Sequence, residues 1–508
     1  MTQLQPPPQE TPETALHHGR LGVLGIVFFV VAAAAPLVGM TGAVPVAIVL
    51  GNGAAAPGAY VVVGLVLLLF SVGYAAMATK VTNTGAFFAF VGRGLGIVPG
   101  VGSAFTSLVA YLSIQLAIYG FFGALVSSEM NDKFGIDQPW WLWTLISWAL
   151  VTGLSALSVD IGAKLLGVLM TIELLSLVVT AFAVLLSGDT PEGIDLAASF
   201  SPTNIFAGGL ASTAGIALAF AFASYIGFEA TAIYGEESKD AHRTVPRATY
   251  LAVVMITVIF GFTAFAIVTG LGSSTVIDRT VELSTVDGTP LANPAGVLFG
   301  VADQYVGSWI VDLMSWLVIS SLFAGLLAFQ NSAARYFYSM GRAGVLPSSL
   351  DRVNGRGAPW TGTVTTSVIT LVVILVFWIG DKDPVLNLFY WFSGLAVLAI
   401  VFVEILVSVA VIAFFSRHRE GVSIFTSIVA PLASILGLAV GLWLLASRFA
   451  LLAGTVKEGV DPTAEPWGLN TTGWVLVLLP FVTFAVGMLV GKLRVRTENE
   501  DAVADLVT

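Results

Sequence analysis

The chain has no cysteine, so disulfides, zinc–thiolate centres and cysteine nucleophiles are excluded by chemistry. Its four histidines, His17, His18, His242 and His418, fall at or beyond the ends of apolar segments and have no metal-ligand spacing. No metal, no other cofactor and no enzymatic chemistry is implied. Charge is also scarce: 10% of the residues are Asp, Glu, Lys or Arg, where soluble domains carry about 25%. A water-soluble fold is thereby excluded. The formal net charge of −10 says less than the placement of the few charges, and no nucleic-acid partner is implied.

What is abundant is apolar sequence. Hydrophobic residues make up 57% of the 508. Runs long enough to cross a hydrocarbon core of ~30 Å, which takes ~20 helical residues, recur from Leu21 nearly to the end. Bounded by charges, Gly/Pro clusters and polar loops, they give an all-α integral membrane protein of about twelve helices. The spans lie near 21–50, 58–77, 98–127, 139–158, 161–187, 205–235, 248–272, 306–340, 361–380, 385–415, 424–447 and 472–491. Residues 1–20 are polar and proline-rich, lack the order of a signal peptide, and read as a disordered cytoplasmic tail; 493–508 read as a second tail.

An even count puts both termini on one side, and Lys and Arg name that side. With the N-terminus inside, sixteen of the 21 basic residues are cytoplasmic, among them Arg20, Arg93, Arg247, Arg335, Arg342, Arg417, Arg419 and Arg496. Lys133, Arg279, Lys382, Arg448 and Lys457 stay outside. The opposite topology would invert a roughly threefold bias, so both termini are expected in the cytoplasm.

Two spans cannot be simple helices. The first reads Ala35-Pro36-Leu37-Val38-Gly39-Met40-Thr41-Gly42-Ala43-Val44-Pro45, with prolines bracketing two glycines. The sixth is interrupted at Phe222-Ala223-Ser224-Tyr225-Ile226-Gly227-Phe228-Glu229. Freed backbone groups are tolerated in a membrane where they line a cavity or find other partners. The pattern predicts unwinding near Gly39 to Gly42 and near Ser224 to Gly227, the alternative for the first being a kinked packing helix. Breaks at matching positions of two halves point to a solute site, and they divide the chain into five-helix groups at 21–187 and 205–415, with 416–492 added. A half-helix N-terminus suits a carboxylate, and the broken end opposite suits an ammonium.

These residues resemble the amino acid-polyamine-organocation permeases, in bacteria above all. Further matches are Asn83-Thr84-Gly85-Ala86-Phe87-Phe88-Ala89-Phe90, Arg93-Gly94-Leu95-Gly96, Glu236-Glu237, Val245-Pro246-Arg247-Ala248 and Ser339-Met340-Gly341-Arg342. The resemblance runs over about Leu21 to Phe415 and implies a LeuT-type inverted repeat, alternating access, a bacterial plasma membrane, and an amino acid or amine as the partner. By position it implies that the backbone of Met40, Thr41 and Gly42 receives a carboxylate and that carbonyls around Phe222, Ala223 and Ser224 receive an amine. Ala223 departs from the family's gating aromatic, leaving Phe222 or Tyr225. The span-five lysine of some proton-coupled relatives corresponds to Thr171.

Ionisable groups inside spans are costly and tend to face a bundle interior. Glu173 in span five is a candidate proton carrier or a hydrogen-bonded structural acid, Glu229 a support for the sixth break ahead of a substrate contact, and Glu404 is without an assigned role. Ser320 and Ser321 are the sodium candidates, although adjacent hydroxyls more often bond their own helix. The acids and bases from Glu236 to Arg247, with Arg335 and Arg342, form either a solvated loop or an inner gate. Lys164 is expected to snorkel to the interface. The walls expected to line the site are Ser103, Ser107, Tyr111, Gln115, Tyr119, Phe222, Ser224, Tyr225 and Trp391, which suit an uncharged amino acid side chain. A polyamine fits if Glu173 or Glu404 faces the cavity. A channel, the competing class, would need a filter of repeated carbonyls or charged rings. The oligomeric state is not legible.

Overall fold

The computed structural model describes residues 21–157, 159–286, 288–291, 293–418 and 421–495, with the backbone alone for 159–166 and 495. The expected tails, except 493–495, lie outside these residues, as do Arg20, His17, His18, Arg419, Arg496 and the side chain of Lys164.

Among the described residues the fold is all-helical, with three isolated bridges and no strand. Eleven segments are long and apolar enough to cross a membrane. The first, Val23–Ala78, has 56 residues, far more than one crossing needs. It contains α1 (Val23–Ala34), α2 (Pro36–Val46) and α3 (Ala56–Ala78). The chain reverses between α2 and α3, where Gly51 leaves helical geometry and Gly53 takes φ 58°. Both ends of the segment then meet the same stretch: Leu21 bridges Ser238, and the carbonyl of Thr79 meets His242 Nδ1 at 2.7 Å. The segment thus runs out and back.

Between the second and third spans, where a loop is expected, α4 (Phe87–Leu95) forms, with seven of its nine residues buried. Gly94 makes this packing possible, since a Cβ there would lie 2.3 Å from the Ala410 carbonyl oxygen. Next come α5 (Ile97–Phe134), α6 (Trp140–Leu157), α7 (Val159–Leu186), the short α8 (Leu196–Phe200) and α9 (Pro202–Ile205), and α10 (Thr213–Ser224). A 3-10 segment, Phe228–Tyr234, leads to α11 (Ala241–Leu271). The loop after it carries α12 (Val276–Ser284) and α13 (Ala295–Tyr305). The remainder is α14 (Ser308–Arg342), α15 (Trp360–Ile379), α16 (Tyr390–Arg417), α17 (Ala430–Ser447), α18 (Phe449–Ala453) and α19 (Thr471–Val495).

The core and the lipid face separate cleanly. In α15, Val368, Val372 and Val376 recur at four-residue spacing and are exposed, a stripe that a membrane would cover and water would not. By contrast, the Thr213–Tyr234 segment has 89% of its most apolar window buried. The broken sixth span is therefore central.

Candidate functional site

The first break falls at Ala35, earlier than the expected Gly39 to Gly42. Ala35 adopts φ 43°, ψ 66°, separating α1 from α2, and Gly39 to Gly42 are helical within α2. The cause is local chemistry completed by a distant residue. Pro36 has no N–H, so the Ala32 carbonyl loses its helical partner. The next amide, Leu37 N–H, donates to Glu173 Oε1 at 3.0 Å. Glu173 of α7 thus caps the N-terminus of α2 from another helix, placing an acid at the positive end of the helix dipole. Ser321, whose buried hydroxyl has no other partner, faces the same carboxyl. Thr171, which stands where some proton-coupled relatives place a lysine, faces outward and bonds its own helix at Gly167.

The second break lies where the pattern places it. Helix α10 ends at Ser224, Gly227 takes φ 114°, and the chain continues as the 3-10 segment. The two breaks touch: a Cβ on Gly227 would lie 2.7 Å from Ala33 Cβ and 3.1 Å from the Ala33 carbonyl carbon. Glu229 organises this second break. Its Oε2 accepts the Gly227 N–H at 2.7 Å, its Oε1 accepts Tyr111 OH at 3.2 Å, and its carbonyl accepts Tyr74 OH.

Beside the two breaks is a cavity of about 390 Å³. Of the residues singled out in the sequence, Gly39, Thr41, Gly42, Ala223 and Ser224 line it. Met40 is buried in packing, Gly227 serves the contact with Ala33, and Phe222 and Tyr225 line a second, small cavity behind the first. The wall expected from span three is the wrong face. Ser103 and Ser107 bond carbonyls of their own helix, Tyr111 bonds Glu229, and Gln115 bonds Gln330. Trp391 packs edge-on against Phe377. The cavity takes Ile114, Ile118, Phe121, Leu125 and Glu129 from α5, joined by Val318, Leu322 and Gly325 of α14 and Val397 of α16. Their spacing of three to four residues was visible as an apolar stripe, but nothing local distinguishes such a stripe from core.

Glu129 is the one acid on the lining, and it pairs with Lys133 at 3.2 Å. Glu173 and Glu404 are absent from the lining, so the condition set for a polyamine is not met. Ser320 donates to its own helix at Leu317, the ordinary arrangement for a serine in a membrane helix. The cavity extends towards Leu291, Asn293 and Phe299, on the end of the bundle away from Leu21 and Ser238. At the same end the Ser274 and Ser273 hydroxyls, with the Ser274 amide, hold the Glu192 carboxyl below the usual range.

The opposite end is closed by ion pairs. Arg335 is fully buried and grips Glu237 with two nitrogens at 2.6 and 3.0 Å, beneath the ring of Tyr234. Arg342 reaches Glu236 at 2.6 Å, and Glu236 also accepts the Thr84 amide at 3.0 Å. Their burial excludes a fully solvated loop at this end of the bundle.

Gly42 gives a direct probe of the cavity, because a Cβ there would meet nothing within 4 Å. Gly42→Leu is therefore expected to leave the melting temperature nearly unchanged while lowering solute binding at least about tenfold. Binding measured by calorimetry at wild-type affinity would remove this cavity from consideration.

Comparison with known proteins agrees with this geometry. The amino acid permease family profile matches residues 25–500. A branched-chain amino acid permease of Lactococcus lactis is 26% identical over 336 residues, covering 62% of this chain and 66% of its own length. A histidine permease of Saccharomyces cerevisiae is 25% identical, covering 56% of this chain and 46% of its own length. A lysine-specific permease of Lactococcus lactis is 22% identical, with 62% and 61% covered. Each alignment spans less than two thirds of the relative's length.

Proposed function

The chain belongs to the amino acid permease family, and from that premise we propose that it carries a neutral amino acid across a bacterial plasma membrane by alternating access, driven by protons through Glu173. The observation that carries the coupling is the bond from Leu37 N–H to Glu173 Oε1. An ionised Glu173 stabilises the start of α2, and a protonated one holds it less firmly. Loading a proton there would therefore bias the hinge at Ala35.

Three features support the transport reading. The two breaks meet beside one cavity, unpaired backbone is tolerated in a membrane where it lines such a space, and the cavity is closed at the ion-pair end while extending towards the other. The matched breaks support the division into repeats at 21–187 and 205–415, and the basic residues support cytoplasmic termini. The solute's side chain is read from the walls. Aliphatic residues dominate, and the one charged group, Glu129, already has Lys133, so a charged side chain would be buried without a partner. The relatives carry branched-chain amino acids, histidine and lysine by their names, and this lining suits the first of these.

Glu173→Gln separates the roles. In proteoliposomes under an imposed pH gradient, the variant is expected to lose concentrative uptake by at least about tenfold and to keep solute-for-solute exchange. Strict sodium dependence of the wild type, together with full accumulation by Glu173→Gln, would overturn the coupling.

A further inference from the structure

Behind the substrate cavity are two acids that the reading above does not use. Glu404 of α16 is 1% exposed and lines the small cavity formed with Phe222, Tyr225, Ile226 and Phe228. Its Oε1 has no hydrogen-bond partner. Ile226 and Val397 line both cavities, so one layer of side chains separates Glu404 from the solute. Glu229, fully buried, follows Phe228 of that lining in the chain. The groups around the pair are neutral: Tyr74 of α3, Tyr111 of α5, Tyr225 beyond α10, and Tyr336 of α14. Among the described residues neither acid has an ion-pair partner, and the buried guanidinium of Arg335 is held by Glu237.

A carboxylate in a dry interior without a cation or a donor loses its hydration, and a proton on Glu404 removes most of that cost. We propose that Glu404 is a second proton-binding site, on the ion-pair side of the solute cavity and separate from Glu173. Position gives it a role. Glu229 holds the Gly227 amide at the sixth break, and Tyr336 adjoins Arg335 of the gate. Movement of the Gly227–Tyr234 segment when the gate opens would admit water to Glu404 and release the proton to that side. No bond other than O–H is made or broken, and the proton leaves to water. The proposal rests on the transport reading for its role in the cycle, but its existence does not.

The test has one arm that needs no transport. Infrared difference spectra of the purified full chain between alkaline and acidic buffers are expected to show a carboxylic C=O band that is retained in Glu173→Gln and lost in Glu404→Gln. Should Glu404→Gln fail to fold, Glu404→Asp is expected to shift the band. The second arm measures solute exchange in proteoliposomes at varied internal pH. Here Glu404→Gln is expected to stay within about threefold of the wild-type maximum but to lose its dependence on internal pH. A band that survives in Glu404→Gln, a band displaced by sodium, or an unaltered pH dependence would overturn the site. A band lost as expected, in a protein that moves no amino acid, would uphold the site and defeat the transport reading instead.

Discussion

Gly227→Val is expected to abolish uptake and to remove most of the folded protein from a detergent extract. The glycine has φ 114°, a region that costs side-chain-bearing residues on the order of 1–3 kcal/mol. Its first side-chain atom would also stand 2.7 Å from Ala33 Cβ, 3.1 Å from the Ala33 carbonyl carbon and 3.2 Å from Ala34 N. Two of these are backbone atoms at the edge of the first break and cannot rotate away. Strain and overlap together exceed what a single membrane helix contact contributes, so the two breaks would part. Gly42 provides the control, since its Cβ would enter open space. Thermal unfolding followed by size-exclusion chromatography measures the difference. Wild-type melting and uptake in Gly227→Val would refute the contact between the breaks as described.

Hydropathy alone marked the spans, because a hydrocarbon slab imposes length and apolarity residue by residue. The sixth break was legible for a similar reason, Gly227 being required where φ is positive. The first break was misplaced because glycine in this helix serves other ends: Gly39 makes room for the ring of Phe260, 2.5 Å from a built Cβ, and Gly42 opens the cavity. The chain instead unwinds at an alanine, which is stable there because Glu173, 136 residues away, takes the Leu37 amide. No local pattern contains that partner. Helix α5 misled in the same way. Ser103, Ser107, Tyr111, Gln115 and Tyr119 recur every four residues and look like a polar wall, yet the hydrogen bonds of the first four stay within α5 or tie it to neighbouring segments. In a membrane, polar side chains join helices as readily as they bind solutes.

The buried pair proposed to close the cavity yields the other large effect, through the asymmetry between breaking such a pair and replacing it. Arg335 has no exposed side-chain surface and Glu237 has 5%, whereas the neighbouring Arg342 and Glu236 retain 27% and 11%. Removing one partner of the first pair leaves a charge stranded, at about 3–5 kcal/mol; replacing both with apolar groups is often neutral. Arg335→Met is therefore expected to lower stability sharply, and Arg335→Met combined with Glu237→Leu to recover most of it. Recovery of folding should not restore the closed gate, because the outer pair, partly hydrated, supplies only ~0–1 kcal/mol. The natural absence of cysteine makes this measurable without background. Ser332 is buried, bonds its own helix at Ala328, and lies one turn from Arg335 towards the cavity, so Ser332→Cys reports access from the gate side. A membrane-impermeant maleimide applied from that side should leave the cysteine unmodified when the Arg335–Glu237 pair is intact and modify it in the double variant. Equal protection in both backgrounds, or wild-type stability of Arg335→Met, would show that the pair neither closes the cavity nor holds a buried charge.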